Sequence, residues 1–142
     1  MITFLRHGQS ITNKYKTNDI NPVLTYEGIQ QVSGLSGHFD YIMISPLKRT
    51  IETFTHSMIT GDNVEYSTLC REKMNHQSNL MHGENIYETD MMFNERIKLL
   101  KLYIQLKSKL YNHILIITHH GVVNNLIHES LLNAESITVN SL

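Results

Sequence analysis

The chain has 142 residues, with 12 Lys and Arg against 13 Asp and Glu, which gives a formal net charge of -1 at pH 7. This length predicts a single domain over residues 1–142, and the charge balance predicts no general attraction to nucleic acid or to an anionic membrane. One cysteine, Cys70, excludes an internal disulfide and is typical of a reducing compartment. We expect a cytoplasmic protein without a signal peptide or a membrane span, because no apolar run has the required length.

The first predicted element is a short apolar strand over residues 1–5, which stops at Arg6-His7-Gly8. Ligands of open α/β sheets bind at the carboxyl edge of the strands, where this turn would lie. The Arg6 guanidinium suits phosphate oxygens, and the His7 imidazole is an unprotonated nucleophile near neutral pH. Gly8 allows a ligand to approach the backbone closely. On this stretch alone, a surface Arg-His pair at a strand end is the alternative.

Two further elements and their turns carry another cation. The expected elements are a polar loop over residues 11–23, a helix over 25–38 that begins at the N-cap Thr25, a buried strand over 39–44 and a helix from 47 to about 59. Ser45-Pro46 marks the start of the second helix. Arg49 falls in its first turn, where the helix dipole disfavours a cation unless that cation serves an anion. Arg49 is therefore a candidate anion ligand, and a solvated arginine paired with a glutamate is the alternative.

The second half of the chain contains the longest helical pattern and the clearest buried strand. The expected elements are an edge strand over residues 63–67, a polar loop over 69–83, a helix over 84–110, a strand over 113–118, a helix over 122–132 and a short strand over 136–139. Four consecutive apolar residues in the strand over 113–118 are typical of a strand buried on both faces. It is followed by His119-His120-Gly121, so a second strand end also carries histidine and glycine.

Alternating strands and helices predict an α/β fold, a three-layer sandwich with a mostly parallel central sheet and helices on both faces. In such a sheet the strands that end at Leu5, Ile44 and Thr118 share one edge. Four side chains then converge there: Arg6, His7, Arg49 and His119. Two guanidiniums and two imidazoles near helix N-termini suit a phosphoryl group. The nine histidines show no zinc-binding spacing, so we expect no metal site.

Five motifs occur in order along the chain. They are Leu5-Arg6-His7-Gly8-Gln9-Ser10 with Asn13, Leu24-Thr25 with Gly28 and Gln31, Ser45-Pro46-Leu47 with Arg49, Thr50 and Thr53, Gly83-Glu84-Asn85 with Arg96, and Thr118-His119 with Gly121, Val122 and Val123. This ordered set resembles the histidine phosphatase superfamily, also called the phosphoglycerate mutase-like or branch 1 group. The resemblance covers nearly the whole chain and implies a phosphoglycerate mutase-like fold in a minimal, short member.

The resemblance also implies a role for each residue at the predicted edge. His7 would be the nucleophile and would carry a phosphohistidine intermediate. The side chains that would hold the phosphoryl oxygens are Arg6, Arg49, His119 and Asn13. His119 is assigned a catalytic role because it directly follows the strand and leaves Gly121 in register with the family pattern. His120, which stands where many relatives have glycine, is the alternative.

The departing oxygen needs a proton, which many relatives take from a glutamate in the loop before the long helix. The segment Cys70-Arg71-Glu72-Lys73 resembles the Leu-Arg-Glu of that loop, so Glu72 is the candidate general acid. A carboxyl group acts in this way only where burial or nearby charge raises its pKa. The family residues that follow this glutamate are absent here, and Glu84 is the alternative.

The chain has almost no insertion over the predicted site, and a site with little cover admits water. We therefore expect metal-independent phosphomonoester hydrolysis without a cofactor, rather than a phosphoglycerate-type mutase reaction. The small size resembles members that act on phosphohistidine in proteins, so the expected partner is a phosphorylated small molecule or a phosphoprotein. The non-enzymatic alternative is a phosphate- or phosphopeptide-binding module. The loop over residues 69–83 is expected to select the leaving group.

Overall fold

The structure is a computed structural model that describes residues 1–142, and its five strands form one sheet. The strands are β1 (Ile2–Arg6), β2 (Ser36–Ile44), β3 (Met58–Tyr66), β4 (Ile114–Thr118) and β5 (Ser136–Val139). Their order across the sheet is β3-β2-β4-β1-β5. β1 to β4 run parallel to one another, and β5 pairs antiparallel with β1 at the edge of the sheet. The predicted, mostly parallel sheet is therefore confirmed.

Five α-helices and two short 3-10 turns connect these strands. The helices are α1 (Ile11–Tyr15), α2 (Tyr26–Ser33), α3 (Lys48–His56), α4 (Asp90–Lys107) and α5 (His120–Ile127), and the 3-10 turns are Thr68–Cys70 and Gln77–Asn79. None of these helices combines the length and the hydropathy that crossing a membrane requires.

Alternating side chains of the central strands build two separate cores. Phe4 and Ile116 face one side of the sheet, where they join a buried cluster with residues of α4 and α5. Leu5 and Ile117 face the other side, where residues of α3 pack against the cluster. Because successive residues of a strand point to opposite faces, one apolar run supplies both cores. This arrangement confirms the predicted three-layer α/β sandwich.

The register of the parallel strands brings three strand ends to one edge. Arg6 at the end of β1 lies opposite Thr118 at the end of β4, and Ile44 at the end of β2 lies opposite Ile117. Turns that leave these strands therefore begin side by side. The candidate site residues were predicted from the sequence to lie at this edge.

Two predicted boundaries in the first half of the chain are wrong, each for a different physical reason. The segment over residues 11–23 was expected to be a loop, yet it begins with α1, because Ser10 and Asn13 form a reciprocal capping box that needs no apolar periodicity. The helix that Thr25 caps ends at Ser33 rather than near residue 38. From Ser36 onward the chain pairs with β3 instead, so sheet pairing overrides helix propensity there.

In the second half of the chain, the observed ends of helices and strands differ from the predicted ones by several residues. The strand β3 starts at Met58, within the expected helix over 47–59, because it pairs with β2 along its length. The long helix begins only after Thr89, whose side chain accepts a hydrogen bond from the Met92 amide. The last helix ends at Ile127, since His128 adopts a left-handed conformation with φ of 57°. The expected strand over 136–139 is confirmed with its bounds.

The turn that carries His7 is packed against α2 so closely that Gly28 has no room for a side chain. A Cβ there would lie 2.1 Å from the backbone oxygen of Gln9, whereas a Cβ at Gly34 would meet nothing within 4 Å. We expect Gly28→Ala to lower the free energy of unfolding by about 1–3 kcal/mol. Gly34→Ala, at a φ of -92°, is the matched control and should leave it unchanged or raise it by up to about 1 kcal/mol. Urea denaturation measures both, and equal effects would contradict the close packing at Gly28.

Candidate active site

A cavity of about 330 Å³ opens at the carboxyl edge of the sheet, and five of the predicted site residues line it. They are Arg6, His7, Asn13, Arg49 and Glu72. Of the 15 residues that form the lining only Phe93 is hydrophobic, so the cavity is almost entirely polar. Residues from the end of β1, from α1, from the start of α3, from the segment before α4 and from α5 thus meet at one place.

His7 is held as a neutral imidazole with a lone pair on Nε2. The side chain is 3% exposed, and Nδ1 lies 2.7 Å from the carbonyl oxygen of Gly8. Because a carbonyl only accepts, Nδ1 carries the proton and Nε2 is unprotonated. Burial, and then the positive charge of Arg49, holds the pKa of His7 well below its ordinary value. The geometry therefore presents a nucleophilic nitrogen at neutral pH.

Arg49 is a buried cation without a carboxylate partner. Its Nη1 donates to the backbone oxygen of Ser78 at 2.9 Å, its Nη2 to Oδ1 of Asn79 at 2.7 Å and its Nε to His7 Nε2 at 3.3 Å. Burial lowers the pKa of Arg49 to about 10, which still leaves it charged at neutral pH. A buried charge held only by neutral dipoles favours the arrival of an anion.

Arg6 provides the second guanidinium of the cavity. Its Nη1 donates to the backbone oxygen of Leu131 at 2.8 Å, while its buried Nε has no hydrogen-bond partner. Partial burial lowers the pKa of Arg6, and the negative charge of Glu72 opposes that shift. Like Arg49, Arg6 is paired with a backbone carbonyl rather than a carboxylate. Two positive charges therefore face the same cavity, and Arg6 has N–H groups that remain without an acceptor.

His119 lies behind the cavity wall and His120 lies on it. His119 is fully buried, with its ring centroid 5.2 Å from that of His7 and its Nε2 2.8 Å from Oγ of Ser45. Its Nδ1 has no partner, and burial followed by the charge of Arg49 holds its pKa well below the ordinary value. His120, the first residue of α5, is part of the cavity lining. His119 therefore lies beside His7 and outside the lining, whereas His120 shares the cavity lining with His7.

Glu72 is fixed by two backbone amides. Its carboxylate accepts from Lys73 N and from Gly121 N, each at 3.0 Å. A Cβ at Gly121 would lie 2.4 Å from the carboxylate, so only glycine allows this approach. Gly121, the glycine of the last sequence motif, therefore positions the carboxylate of Glu72.

Arg96 of α4 holds the segment that carries Glu72. Its Nη1 donates to the backbone oxygens of Leu69 and Arg71, and its Nη2 donates to that of Glu72. An ion pair with the buried Glu88, at 2.7 Å, fixes the guanidinium itself. The downstream arginine of the sequence motif is thus placed behind the loop as a positioning residue.

Glu84, the alternative acid, lies outside the cavity lining. Both its oxygens pair with the buried guanidinium of Arg71, at 2.5 and 3.0 Å. The hydrogen bond from Arg71 holds the pKa of Glu84 below its ordinary value. Glu84 is therefore an ion-pair partner that stabilises the loop over residues 69–89, and it is separated from the place where a leaving group would sit.

Asn13 presents a free amide, and several lining residues have no counterpart in the sequence motifs. Oδ1 of Asn13 accepts from the Ser10 amide at 3.0 Å and from Asn133 Nδ2 at 3.3 Å, which leaves the Asn13 amide nitrogen for a ligand. The lining residues that the quoted sequence segments do not contain are Thr12, Asn75, Ser78, Asn79, Phe93 and Asn125. Three of them, Asn75, Ser78 and Asn79, come from the segment before α4, where no periodicity identifies them. No group of three or more metal-ligating side chains occurs in the protein.

Two buried neutral histidines make stability depend on pH. The unfolded chain binds protons at His7 and His119 near the ordinary pKa of 6.5, whereas in the folded protein both pKa values are lowered. The unfolded state therefore gains protons first, and the free energy of unfolding should fall as the pH drops below 6.5, by up to about 1.4 kcal/mol per pH unit for each histidine. The window from pH 6.5 to about 5 lies above the titration of ordinary carboxylates.

Urea denaturation across this window measures the slope directly. His7→Gln should remove about half of it, whereas His56→Gln, at an exposed position, should leave it unchanged. A stability that does not vary with pH over this window would contradict the assignment of both imidazoles as buried and neutral.

Residues 2–72 match the family model of the histidine phosphatase superfamily (branch 1). This segment is half of the chain and contains Arg6, His7, Arg49 and Glu72. No curated protein matches the sequence.

Solved structures of phosphatases share the fold. An alpha-ribazole phosphatase from Shigella flexneri has a TM-score of 0.71 at 17% identity, with 95% of this chain and 87% of that chain covered. A phosphoserine phosphatase from Entamoeba histolytica, in complex with 3-phosphoglyceric acid, has a TM-score of 0.65 at 17% identity, with coverage of 95% and 87%. A mycobacterial glucosyl-3-phosphoglycerate phosphatase has a TM-score of 0.64 at 14% identity, with coverage of 95% and 88%.

At identities this low, the structural matches show the fold alone. They confirm the predicted phosphoglycerate mutase-like architecture. The family is shown by the model match, which includes the turn with His7 and the start of α3 with Arg49. The chain belongs to the histidine phosphatase superfamily, branch 1.

Proposed function

We propose that residues 1–142 act as a single histidine phosphatase-like domain that hydrolyses phosphomonoesters through a phosphohistidine on His7. One observation carries the proposal: the unprotonated Nε2 of His7 shares a polar cavity with two guanidiniums that have no carboxylate partner. Phosphoryl transfer depends mainly on positioning and on neutralising the charge of the equatorial oxygens. Arg6 and Arg49 supply that charge, and His7 supplies the attacking atom.

In the first step, a phosphate ester binds with its non-bridging oxygens on Arg6 and Arg49. The Nε of Arg49 now donates to His7 Nε2 at 3.3 Å, and a phosphoryl oxygen would replace His7 as its acceptor. This exchange frees the lone pair for in-line attack on phosphorus. The N–P bond forms as the bond from phosphorus to the leaving oxygen breaks. His119, whose Nδ1 has no partner, would donate a hydrogen bond to a phosphoryl oxygen from behind His7.

Glu72 handles the protons in both steps. As an acid it donates a proton to the leaving oxygen, and as the resulting carboxylate it accepts a proton from the water that attacks the phosphohistidine. The N–P bond then breaks, inorganic phosphate forms and His7 is regenerated as neutral imidazole. Its place on the cavity lining, from which Glu84 is absent, supports Glu72 rather than Glu84 in this role.

The segment between β3 and α4 supports hydrolysis over a mutase reaction. It consists of residues 67–89, contains only two short 3-10 turns, and lines one side of the cavity. Because so short a segment covers little of the cavity, water has access to the phosphohistidine. A phosphate-binding module without turnover is the alternative, and the presence of Glu72 on the lining favours catalysis.

A small, polar phosphorylated molecule is the substrate class that the cavity supports. The cavity volume of about 330 Å³ lies at the low end of the range for small-molecule sites. The cavity lining offers amides, hydroxyls and Lys73 but only one hydrophobic side chain. The structural neighbours named for ribazole phosphate, phosphoserine and glucosyl-phosphoglycerate chemistry support this class. A phosphoprotein remains the second substrate class to test. We also propose a cytoplasmic location, on the basis of the single unpaired Cys70.

The proposed activity is tested by measuring phosphate release from a panel of phosphomonoesters that includes phosphoserine and p-nitrophenyl phosphate. The native protein should turn over, and His7→Ala should lower kcat/KM by about 10³-fold or more, because the nucleophile is lost. His56→Ala, at an exposed position, is the control. Phosphate binding without turnover would support the binding module, and interconversion of 3- and 2-phosphoglycerate would support the mutase.

The role of Glu72 is tested through the leaving group. Glu72→Gln should lower kcat/KM, which reports the step that releases the leaving group, about 10²-fold or more for phosphoserine, whose alkoxide needs a proton, and much less for p-nitrophenyl phosphate, whose phenolate leaves unaided. Glu84→Gln breaks the ion pair with Arg71, and it should lower stability without changing the ratio of the two rates. Equal losses on both substrates for Glu72→Gln would contradict general-acid catalysis by this residue.

A further inference from the structure

The helix α4 has two apolar faces, of which only one is covered. Its inner face packs on the sheet through Phe93, Ile97, Leu100 and Ile104, all of which are buried. The opposite face exposes Leu99, Leu102 and Leu106, with 57%, 58% and 59% of their surfaces accessible. A helix that is apolar on opposite sides is normally buried on both of them.

The exposed apolar residues follow the spacing of a coiled-coil seam. Met92, Leu99 and Leu106 are seven residues apart, and Leu102 lies three residues after Leu99. These are the a and d positions of a heptad, which point toward a facing helix. We call these four residues the outer stripe. Leu102 and Leu106 also line a shallow groove with Gln105 and Lys109, so a partner side chain has a place to insert.

Opposite charges stand at opposite ends of the stripe. Glu95 occupies the remaining d position within α4, one turn before Leu99, and Lys109 lies in the turn that follows α4, three residues after Leu106. In a parallel pair of such helices the glutamates would face each other, which is unfavourable. In an antiparallel pair Glu95 of each copy comes within reach of Lys109 of the other. The charge pattern of the stripe is therefore complementary to itself in one orientation only.

We infer that the outer stripe docks onto the outer stripe of a second copy of this chain, with the two α4 helices antiparallel across a twofold axis. Such an interface is isologous, so a single surface supplies both sides. Glu95 is paired within its own helix only with Lys98 at 3.0 Å, and both side chains are more than half exposed, so this pair competes weakly. The stripe faces away from the sheet, and none of its four residues lines the cavity. This inference does not depend on the proposed catalytic activity.

A different occupant, such as a membrane surface, fits the stripe less well. A carboxylate at Glu95 lies in line with the leucines, and a charged group among acyl chains is costly. A facing helix with a lysine at the matching position removes that cost.

The oligomeric state in solution tests the inference. Analytical ultracentrifugation at tens of micromolar should give about twice the chain mass of 16.5 kDa. Leu102→Glu/Leu106→Glu should give the monomer, while Leu132→Glu, at a still more exposed leucine outside the stripe, should leave the dimer intact. Thermal melting followed by circular dichroism shows that each variant is folded.

Charge reversal tests the antiparallel orientation. Glu95→Lys and Lys109→Glu should each weaken the dimer about tenfold or more, because like charges then face each other, and the double variant should restore it. A monomer at every concentration, a dimer that survives Leu102→Glu/Leu106→Glu, or a double variant that stays weak would each overturn the inference. Co-sedimentation of a monomer with phosphatidylserine vesicles would overturn it in favour of a membrane.

Discussion

Two guanidiniums that face one cavity and lack carboxylate partners are the constraint on which the site depends. Arg49 is buried and Arg6 is partly buried, and both are held by backbone or amide oxygens. Such an arrangement leaves positive charge unneutralised in a partly desolvated place, and it is stabilised by an arriving anion. Burial lowers the pKa of His7 most, and the same charges lower it further, which keeps its nitrogen available. The two guanidiniums therefore contribute both to anion binding and to the nucleophilicity of His7.

The sheet register is what brings these groups together. Arg6 and His7 leave β1 opposite Thr118 of β4, and the turn after β2 leads within a few residues to Arg49. Close packing of Gly8 and Gly28 keeps the first turn tight, while Thr53 accepts from the Gly8 amide at 3.0 Å. Rigid strands and short turns thus fix the positions of Arg6, His7 and Arg49. The general-acid candidate sits on a longer segment and needs a separate support from Arg96 and Gly121.

Much of this arrangement was predictable because it follows from simple patterns. The buried run before Thr118 and the apolar run before Arg6 predict parallel strands, and parallel strands that end together bring Arg6, His7 and His119 to one edge. The helix α1 was missed because its stability comes from the capping of Ser10 and Asn13 and not from apolar periodicity. The contacts of Arg49 with Ser78 and Asn79 were missed because they come from a loop whose path depends on tertiary contacts. Long-range hydrogen bonds of this kind have no local signature.

The central claim is that Nε2 of His7 attacks a phosphoryl group held between Arg6 and Arg49. A crystal structure with orthovanadate, which imitates the transferring phosphoryl group, tests it most directly. The account predicts vanadium bonded to Nε2 of His7, with its equatorial oxygens on both guanidiniums and its apical oxygen toward Glu72. Vanadate bonded to His120, or bound away from this cavity, would contradict it.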